Sequence, residues 1–158
     1  MIGTRVSYLD EQQRLEGYLA APNSARDLPG VLVVPSWLNV NESICKRADR
    51  LAELGYVAFV VDLFGAAVRP GPPQSPTTVV GPFLEDRLRF RRRLSAGLRA
   101  FQGRPECNAE INGRVFSTLI YMAGVNRYAV SIGILYAKKI MSKNSFIRYL
   151  SCCDSPTD

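Results

Sequence analysis

Two short apolar runs, separated by a segment with helical spacing, constrain the fold of this chain more than any other feature. The runs are Val31–Val34 and Tyr56–Val61, and continuous apolar strands of this length are typical of sheets covered on both faces. Between them, Glu42–Leu54 repeats apolar residues with the period of a helix, and Gly55 suits its C-terminal end. Strand, helix and strand with short connections predict a βαβ unit with parallel strands and a right-handed crossover. We therefore expect an α/β fold.

The segments around this unit extend the prediction. An antiparallel hairpin is expected at the N-terminus, with strands Thr4–Tyr8 and Arg14–Ala21 around the polar turn Asp10–Gln13. Gly65–Pro82 is dense in proline and glycine, which predicts irregular structure. Phe83–Gln102 resumes helical periodicity, and we expect one helix over that range.

The helix expected over Phe83–Gln102 is markedly basic. Its arginines are Arg87, Arg89, Arg91, Arg92, Arg93 and Arg99. Those at positions 89, 92, 93 and 99 share roughly one face, opposite the leucines at positions 84, 88 and 98. This pattern predicts a solvated basic face, with phosphate binding as the alternative.

The composition changes abruptly at Glu110. Isoleucine stands only at positions 2 and 44 before it, and at 111, 120, 132, 134, 140 and 147 after it. We therefore divide the chain of 158 residues into 1–110 and 111–158, and infer a different origin for the second part. A frameshift, an alternative exon and a readthrough would each produce such a tail. Within it we expect a strand over Arg114–Met122 beside Val31–Val34, and a helical remainder that includes Ile134–Ile140.

Charge and cysteine spacing limit the partners that the chain predicts. The net charge is +6, with a pI near 9.4, but no nucleic-acid-binding motif accompanies it, so we expect no nucleic-acid partner. The four cysteines do not have the spacing of a metal site, and we expect neither a metal nor another cofactor. The apolar window Val115–Ala137 contains Asn126 and Arg127, which argues against a membrane span. We expect a cytoplasmic protein of unassigned oligomeric state.

Several motifs together resemble the dienelactone hydrolase family, which has the α/β-hydrolase fold. They lie between Thr4 and Glu110, and comprise Leu15–Ala20, Gly30–Pro35 followed by Trp37 and Asn41, Arg47–Ala58, Asp62–Gly65, Arg93–Leu98 and Arg104–Cys107. The resemblance implies hydrolysis of lactones and related carboxylic esters by a Cys or Ser nucleophile, a His and an Asp. It also implies that the backbone N–H of Trp37 is one oxyanion-hole donor.

The chain departs from the family pattern at its catalytic positions. It contains no histidine, and residues 111–117 lack the G-x-C-x-G or G-x-S-x-G elbow of the nucleophile. In the loop after the first parallel strand, Ser36 replaces the usual Glu and Asn39 replaces the usual Gly. An A-x-S-x-G pattern at Ala129–Gly133 makes Ser131 a candidate nucleophile, although no histidine can act as its base.

These observations predict a dienelactone hydrolase-like chain, truncated or frameshifted, that lacks a complete catalytic triad and is inactive alone. Any substrate would be a small ester or lactone. We expect Asp62 to be structural and Cys107 to be an unreactive loop cysteine. A non-catalytic interaction module is the alternative, using the basic helix 87–99 or the apolar tail Ile111–Leu150. A third possibility is an enzyme in which a partner supplies the base for Ser131.

Overall fold

The computed structural model of the protein describes residues 3–107, 114–117 and 134–136. In chain order its elements are β1 (Thr4–Asp10), β2 (Gln13–Ala20), β3 (Gly30–Val34), α1 (Glu42–Glu53), β4 (Val57–Val60), α2 (Pro76–Glu85), α3 (Arg87–Gln102), β5 (Arg114–Ser117) and β6 (Ile134–Tyr136).

The described strands form one sheet in the order β1-β2-β4-β3-β5-β6. β1 and β2 are the expected antiparallel hairpin, and β3 and β4 are parallel with Leu32 opposite Phe59. α1 connects the two parallel strands and begins after Asn41, whose side chain accepts a hydrogen bond from the N–H of Ile44 at 3.0 Å. The predicted hairpin, βαβ unit and α/β class are therefore confirmed.

Helices cover both faces of the sheet. Successive strand residues point to opposite sides, so an apolar strand presents apolar side chains to the helices on each face. On one face, Val31, Val33, Ala58 and Val60 pack with residues of α1. The other face packs against α2 and α3. This layer of the core buries sheet residues together with helix residues: Leu32, Val34, Phe59 and Val61 from the sheet side, Val80 and Phe83 from α2, and Leu94, Leu98 and Phe101 from α3. Two buried layers of this kind explain why β3 and β4 are apolar throughout.

The approach of α3 to the sheet is close at Gly97. A Cβ atom added there would lie 2.6 Å from Cγ1 of Val61 and 3.4 Å from the hydroxyl of Tyr8. Only glycine permits this helix to pack so near the strand without displacing Val61. The packing of α3 on the sheet therefore depends on the absence of a side chain at Gly97 as well as on the apolar side chains.

Two helices occupy the region in which the sequence predicted irregular structure followed by one helix. α2 begins inside the proline-rich segment, because Pro76 stands in the first turn and the Ser75 side chain accepts from the N–H of Thr78 at 3.2 Å. It ends at Glu85, and Asp86 caps the separate helix α3 by accepting from the N–H of Arg89 at 2.9 Å. The predictions of an irregular Gly65–Pro82 and of a single helix Phe83–Gln102 were therefore wrong in these parts.

The predicted faces of the basic helix are wrong at two positions, whereas Leu98 is buried and Arg99 is exposed as expected. Leu88, expected in the core, is 76 % exposed, whereas Arg93, expected in solvent, is 2 % exposed. Arg93 is buried because Asp10, itself 2 % exposed, ends β1 beneath α3 and places its Oδ2 3.1 Å from Nε of Arg93. A buried carboxylate thus replaces an apolar partner at this part of the interface.

The described parts of the tail extend the sheet. β5 lies parallel to β3, with Leu32 opposite Val115, which confirms a strand beside Val31–Val34 over the first part of the predicted range; residues 118–122 lie outside the described residues. β6 is antiparallel to β5, so residues 134–136 form a strand where we expected a helix. The rest of the helical prediction lies outside the described residues. The division at residue 110 remains a prediction.

Candidate functional site

The carboxyl ends of the parallel strands bring two loops together at one edge of the sheet. β3 ends at Val34 and leads into the loop of residues 35–41, and β4 ends at Val60, just before Asp62. Parallel strands point the same way, so both loops leave at the edge where open α/β sheets bind ligands. The candidate residues Ser36, Trp37 and Asn39 all belong to the first loop.

Asn39 adopts the backbone conformation that the first loop needs to turn. Its φ of 54° lies in the left-handed region, which glycine enters freely and asparagine tolerates better than most residues. Its N–H donates to the carbonyl oxygen of Ser36 at 3.0 Å and closes a tight turn. Asparagine thus meets the backbone requirement of a position at which the resemblance led us to expect glycine.

Asp62 connects the two loops through its fully buried carboxylate. Oδ1 accepts hydrogen bonds from Nδ2 of Asn39 at 2.8 Å, from the N–H of Phe64 at 3.0 Å and from the N–H of Gly65 at 2.8 Å. Oδ2 accepts from the N–H of Glu16 at 2.9 Å. Four donors compensate for the loss of water around the charge. These contacts agree with the structural role predicted for Asp62.

The side chain of Asn39 completes the connection between the loops. Its Oδ1 accepts from the N–H of Leu63 at 3.1 Å, and its Nδ2 also donates to the carbonyl oxygen of Val68 at 3.1 Å. Arg69 then binds the same loop, donating to the carbonyl oxygen of Gly65 at 3.2 Å and to Oε2 of Glu16 at 3.1 Å. Replacement of the usual Gly by Asn therefore adds side-chain contacts, a function that sequence reasoning did not assign to Asn39.

Ser36 and Trp37 lie in the turn that Asn39 closes. Oγ of Ser36 accepts from the N–H of Leu38 at 3.4 Å, so this hydroxyl supports the turn locally. The indole of Trp37 is partly buried against the core on the α2–α3 side of the sheet. Among the described residues, no acceptor is paired with the backbone N–H of Trp37. That N–H is free for another acceptor at the ligand-binding edge.

The other candidates do not join this cluster within the described residues. Ser131 lies outside them. Cys107 is buried and sits in a β-bridge with Leu28, and burial raises the pKa of its thiol to about 11, with a smaller contribution from Glu106. Burial also raises the pKa of Cys45. Neither thiol has the lowered pKa of an activated cysteine, in agreement with the prediction for Cys107.

The strand neighbouring this loop ends in a hydroxyl residue. β5 runs parallel to β3, and its last residue, Ser117, is in register with Val34. Sequence reasoning did not select Ser117, because it has no elbow motif around it. Only the pairing of β5 with β3 places the residue beside the start of the Pro35–Asn41 loop.

Comparison with known proteins places the chain in a family. A family model described as the dienelactone hydrolase family matches residues 15–115, which is more than half of the chain. The chain belongs to the dienelactone hydrolase family. The solved structure described as m3DLH is 26 % identical, with a TM-score of 0.66. A dienelactone hydrolase-like promiscuous phosphotriesterase, P91, from metagenomic libraries is 29 % identical, with a TM-score of 0.64. No curated protein gives a match.

The chain spans less than half the length of these two relatives. Each match covers 73 % of this chain and 47 % of the other. The family match over residues 15–115 includes β3, β4, the two loops and the three helices.

Neither a metal-ligand cluster nor a membrane-spanning helix is formed by the described residues. In the ranges 3–107, 114–117 and 134–136, no three His, Cys, Asp or Glu side chains come together as metal ligands. None of the helices in those ranges combines the length and apolar character needed to cross a bilayer. The basic helix α3 is partly neutralised, since Arg92 forms ion pairs with Asp10 at 3.1 Å and with Glu11 at 3.2 Å.

Proposed function

We propose that this chain carries the oxyanion-hole loop and supporting sheet of a lactone or carboxylic-ester hydrolase, and that the chain alone does not hydrolyse esters. One observation carries the first half of the proposal. The N–H of Trp37 has no acceptor among the described residues, and it lies in a loop that Asn39 and Asp62 hold rigidly at the ligand-binding edge. A preorganised N–H of this kind stabilises the oxyanion of a tetrahedral intermediate.

The absence of histidine supports the second half. A serine or cysteine nucleophile of this family type needs a base to remove its proton, and the chain contains no histidine. Cys107 does not compensate, because a thiol with a pKa of about 11 is ionised in roughly one molecule in ten thousand at pH 7. An oxyanion donor without an activated nucleophile does not start acyl transfer.

An ester-hydrolysis assay tests the lack of activity. The purified chain is compared with a variant carrying Cys107→Ala, Ser117→Ala and Ser131→Ala, using p-nitrophenyl acetate and dienelactone as substrates. We expect the same rate for both proteins, at the background level of the buffer. A rate that is well above background in the native chain and disappears in the variant would show that the chain has its own nucleophile and base.

A chimera tests the role of the loop. Residues 111–158 are replaced by the C-terminal part of the P91 relative, which is 29 % identical over the matched region. We expect the chimera to hydrolyse esters, because the supporting sheet and loop are then joined to the family's missing residues. A folded chimera without activity would contradict the proposal.

Two variants of Trp37 in that chimera separate the N–H from the indole. Asn39 N–H bonds to Ser36 O, so Trp37 takes the second position of a turn, where proline is common. Trp37→Ala removes the indole and keeps the N–H, whereas Trp37→Pro removes both. We expect kcat to be about 100-fold lower in Trp37→Pro than in Trp37→Ala, the loss typical of one oxyanion donor. Equal kcat values would exclude the N–H as a donor.

A further inference from the structure

An open cavity lies beside the residues that Asn39 and Asp62 bind. Val68 accepts from Asn39, Glu16 donates to Asp62, and both residues line the cavity. Its volume is about 1100 Å³, and it is enclosed by the β1–β2 turn, residues 66–68 and the N-terminal half of α3. The lining includes four arginines: Arg14, Arg89, Arg92 and Arg93. Neither Ser36, Trp37 nor Asn39 lines it. The cavity is therefore lined by residues outside the proposed oxyanion-hole loop, next to the contacts that Asn39 and Asp62 make.

The acidic groups of the cavity do not balance its arginines. Three carboxylates line it, those of Asp10, Glu11 and Glu16. Glu16 is bound by Arg69 at 3.1 Å, from outside the lining. The two remaining carboxylates therefore face four guanidinium groups. Positive charge in a cleft of this kind attracts anions.

The floor of the cavity holds a guanidinium group with unused hydrogen-bonding capacity. Arg93 is 2 % exposed, and its Nη2 donates to Oε1 of Gln13 at 2.9 Å. Nε lies 3.1 Å from Oδ2 of Asp10, within ion-pair distance but outside hydrogen-bond geometry, and Nη1 has no hydrogen-bond partner among the described residues. Asp10 is shared with Arg92, whose Nε lies 3.1 Å from its Oδ1.

The surroundings of Arg93 combine burial with charges of both signs. Burial lowers the pKa of its guanidinium most; Asp10 and Asp62 oppose that effect, and Arg89 and Arg92 lower the pKa further. The two neighbouring arginines therefore repel Arg93, although two carboxylates attract it. A negative ligand near the floor would relieve this repulsion.

The rim offers two arginines that carry no ion pair with a described carboxylate. Arg14 donates to the neutral hydroxyl of Ser7 at 3.2 Å, and Arg89 stacks on the ring of Phe83 with its guanidinium carbon 4.6 Å from the ring centre. Neither contact uses all the donors of a guanidinium group, which has five N–H bonds in a planar fork. Both side chains are therefore able to bind an oxyanion.

We propose that this cavity binds the oxyanion group of a small molecule, a carboxylate or a phosphate, between Arg14 and Arg89 and above Arg93. The proposal does not rest on ester hydrolysis, because no residue of the 35–41 loop lines the cavity. The rim arginines supply charge-assisted hydrogen bonds, and Arg93 adds a buried guanidinium whose Nη1 has no hydrogen-bond partner among the described residues. Arg92 remains paired with Asp10 and Glu11.

Titration with two probe anions tests the site. Inorganic phosphate and acetate are each titrated into the full chain at low ionic strength, and binding is measured by calorimetry. We expect at least one anion to bind, with an affinity that falls as salt is added. Tighter binding of phosphate assigns a phosphorylated ligand, and tighter binding of acetate assigns a carboxylate. Failure of both to bind at millimolar concentration would overturn the proposal.

Matched arginine variants locate the binding. Arg14→Gln and Arg89→Gln remove one rim charge each and leave the buried Asp10–Arg93 pair intact. Either change is expected to weaken the better anion by about tenfold, the effect of one charge-assisted hydrogen bond. Arg99→Gln is the control, since Arg99 is an exposed residue of the same helix that does not line the cavity. Equal losses in Arg89→Gln and Arg99→Gln would show only a general charge effect and would overturn the assignment.

Discussion

Replacing Asp62 by asparagine tests whether its carboxylate holds the site loops together. Asparagine has nearly the same shape, so the change removes charge and one acceptor without opening a cavity. The best orientation keeps the amide oxygen at the Oδ1 position, where it still accepts the hydrogen bonds from Asn39, Phe64 and Gly65. The amide nitrogen then faces the N–H of Glu16, which in the native chain donates to Oδ2 of Asp62 at 2.9 Å. Two donors face each other, so the N–H of Glu16 loses its acceptor.

The magnitude follows from these four contacts. A buried N–H left without an acceptor costs about 1–3 kcal/mol. The three retained hydrogen bonds change from charged to neutral, and each loses about 1 kcal/mol. Asparagine also avoids the cost of burying a charge, which offsets part of the loss. We expect Asp62→Asn to lower the free energy of unfolding by about 3 kcal/mol.

Urea unfolding at pH 7 measures this change. With a slope of about 2 kcal/mol per molar urea, the midpoint is expected to fall by about 1.5 M while the slope is unchanged. Asp86→Asn is the control, because Asp86 caps α3 from an exposed position and asparagine caps helices equally well. Its midpoint should match that of the native chain. If the Asp62→Asn midpoint also matched, the buried hydrogen bonds of Asp62 would not stabilise the loops as argued.

Three further predictions use the same structure. Asn39→Ala should be about 1 kcal/mol less stable to urea than Asn39→Gly, because only alanine is strained at a φ of 54°; equal stabilities would contradict a left-handed backbone there. Burial, helped by a hydrogen bond to Asp49, raises the pKa of Tyr18 to about 12, so the folded state holds this proton more tightly than the unfolded one. The contribution of this shift to stability is complete below pH 10 and is lost as the pH rises to 12. Between those pH values, the Tm of Tyr18→Phe should therefore fall less steeply than the Tm of the native chain. Iodoacetamide at pH 8 should leave Cys45 and Cys107 unmodified in the native chain and modify both in urea, as followed by mass spectrometry of their peptides; rapid native labelling would contradict their burial.

Local patterns were sufficient for the central part of the fold. The apolar runs of β3 and β4 were identified correctly, since a strand buried on both faces cannot contain polar side chains. The helical period between them marked α1, and Asn41 and Gly55 bounded it. The family motifs lie in this same region, which is why the resemblance and the family match agree.

Local patterns predicted the packing of α3 only in part. Periodicity correctly places Leu94, Leu98 and Phe101 in the core, yet Leu88 is exposed and Arg93 is buried. The reason is Asp10, a residue distant in sequence whose buried carboxylate attracts Arg93. The spacing of residues within a helix contains no information about which distant strand end it will meet.

The sequence by itself determined the α/β class, the parallel pair β3–β4 and the absence of a histidine base. The tertiary structure alone decided that Asn39 and Asp62 join two loops, that β5 ends beside β3, and that four arginines line one cavity. Apolar periodicity arises from burial over a few consecutive turns or strand residues, so it can be read locally. Hydrogen bonds and ion pairs between distant residues depend on how the elements pack, and that packing exists only in the folded chain.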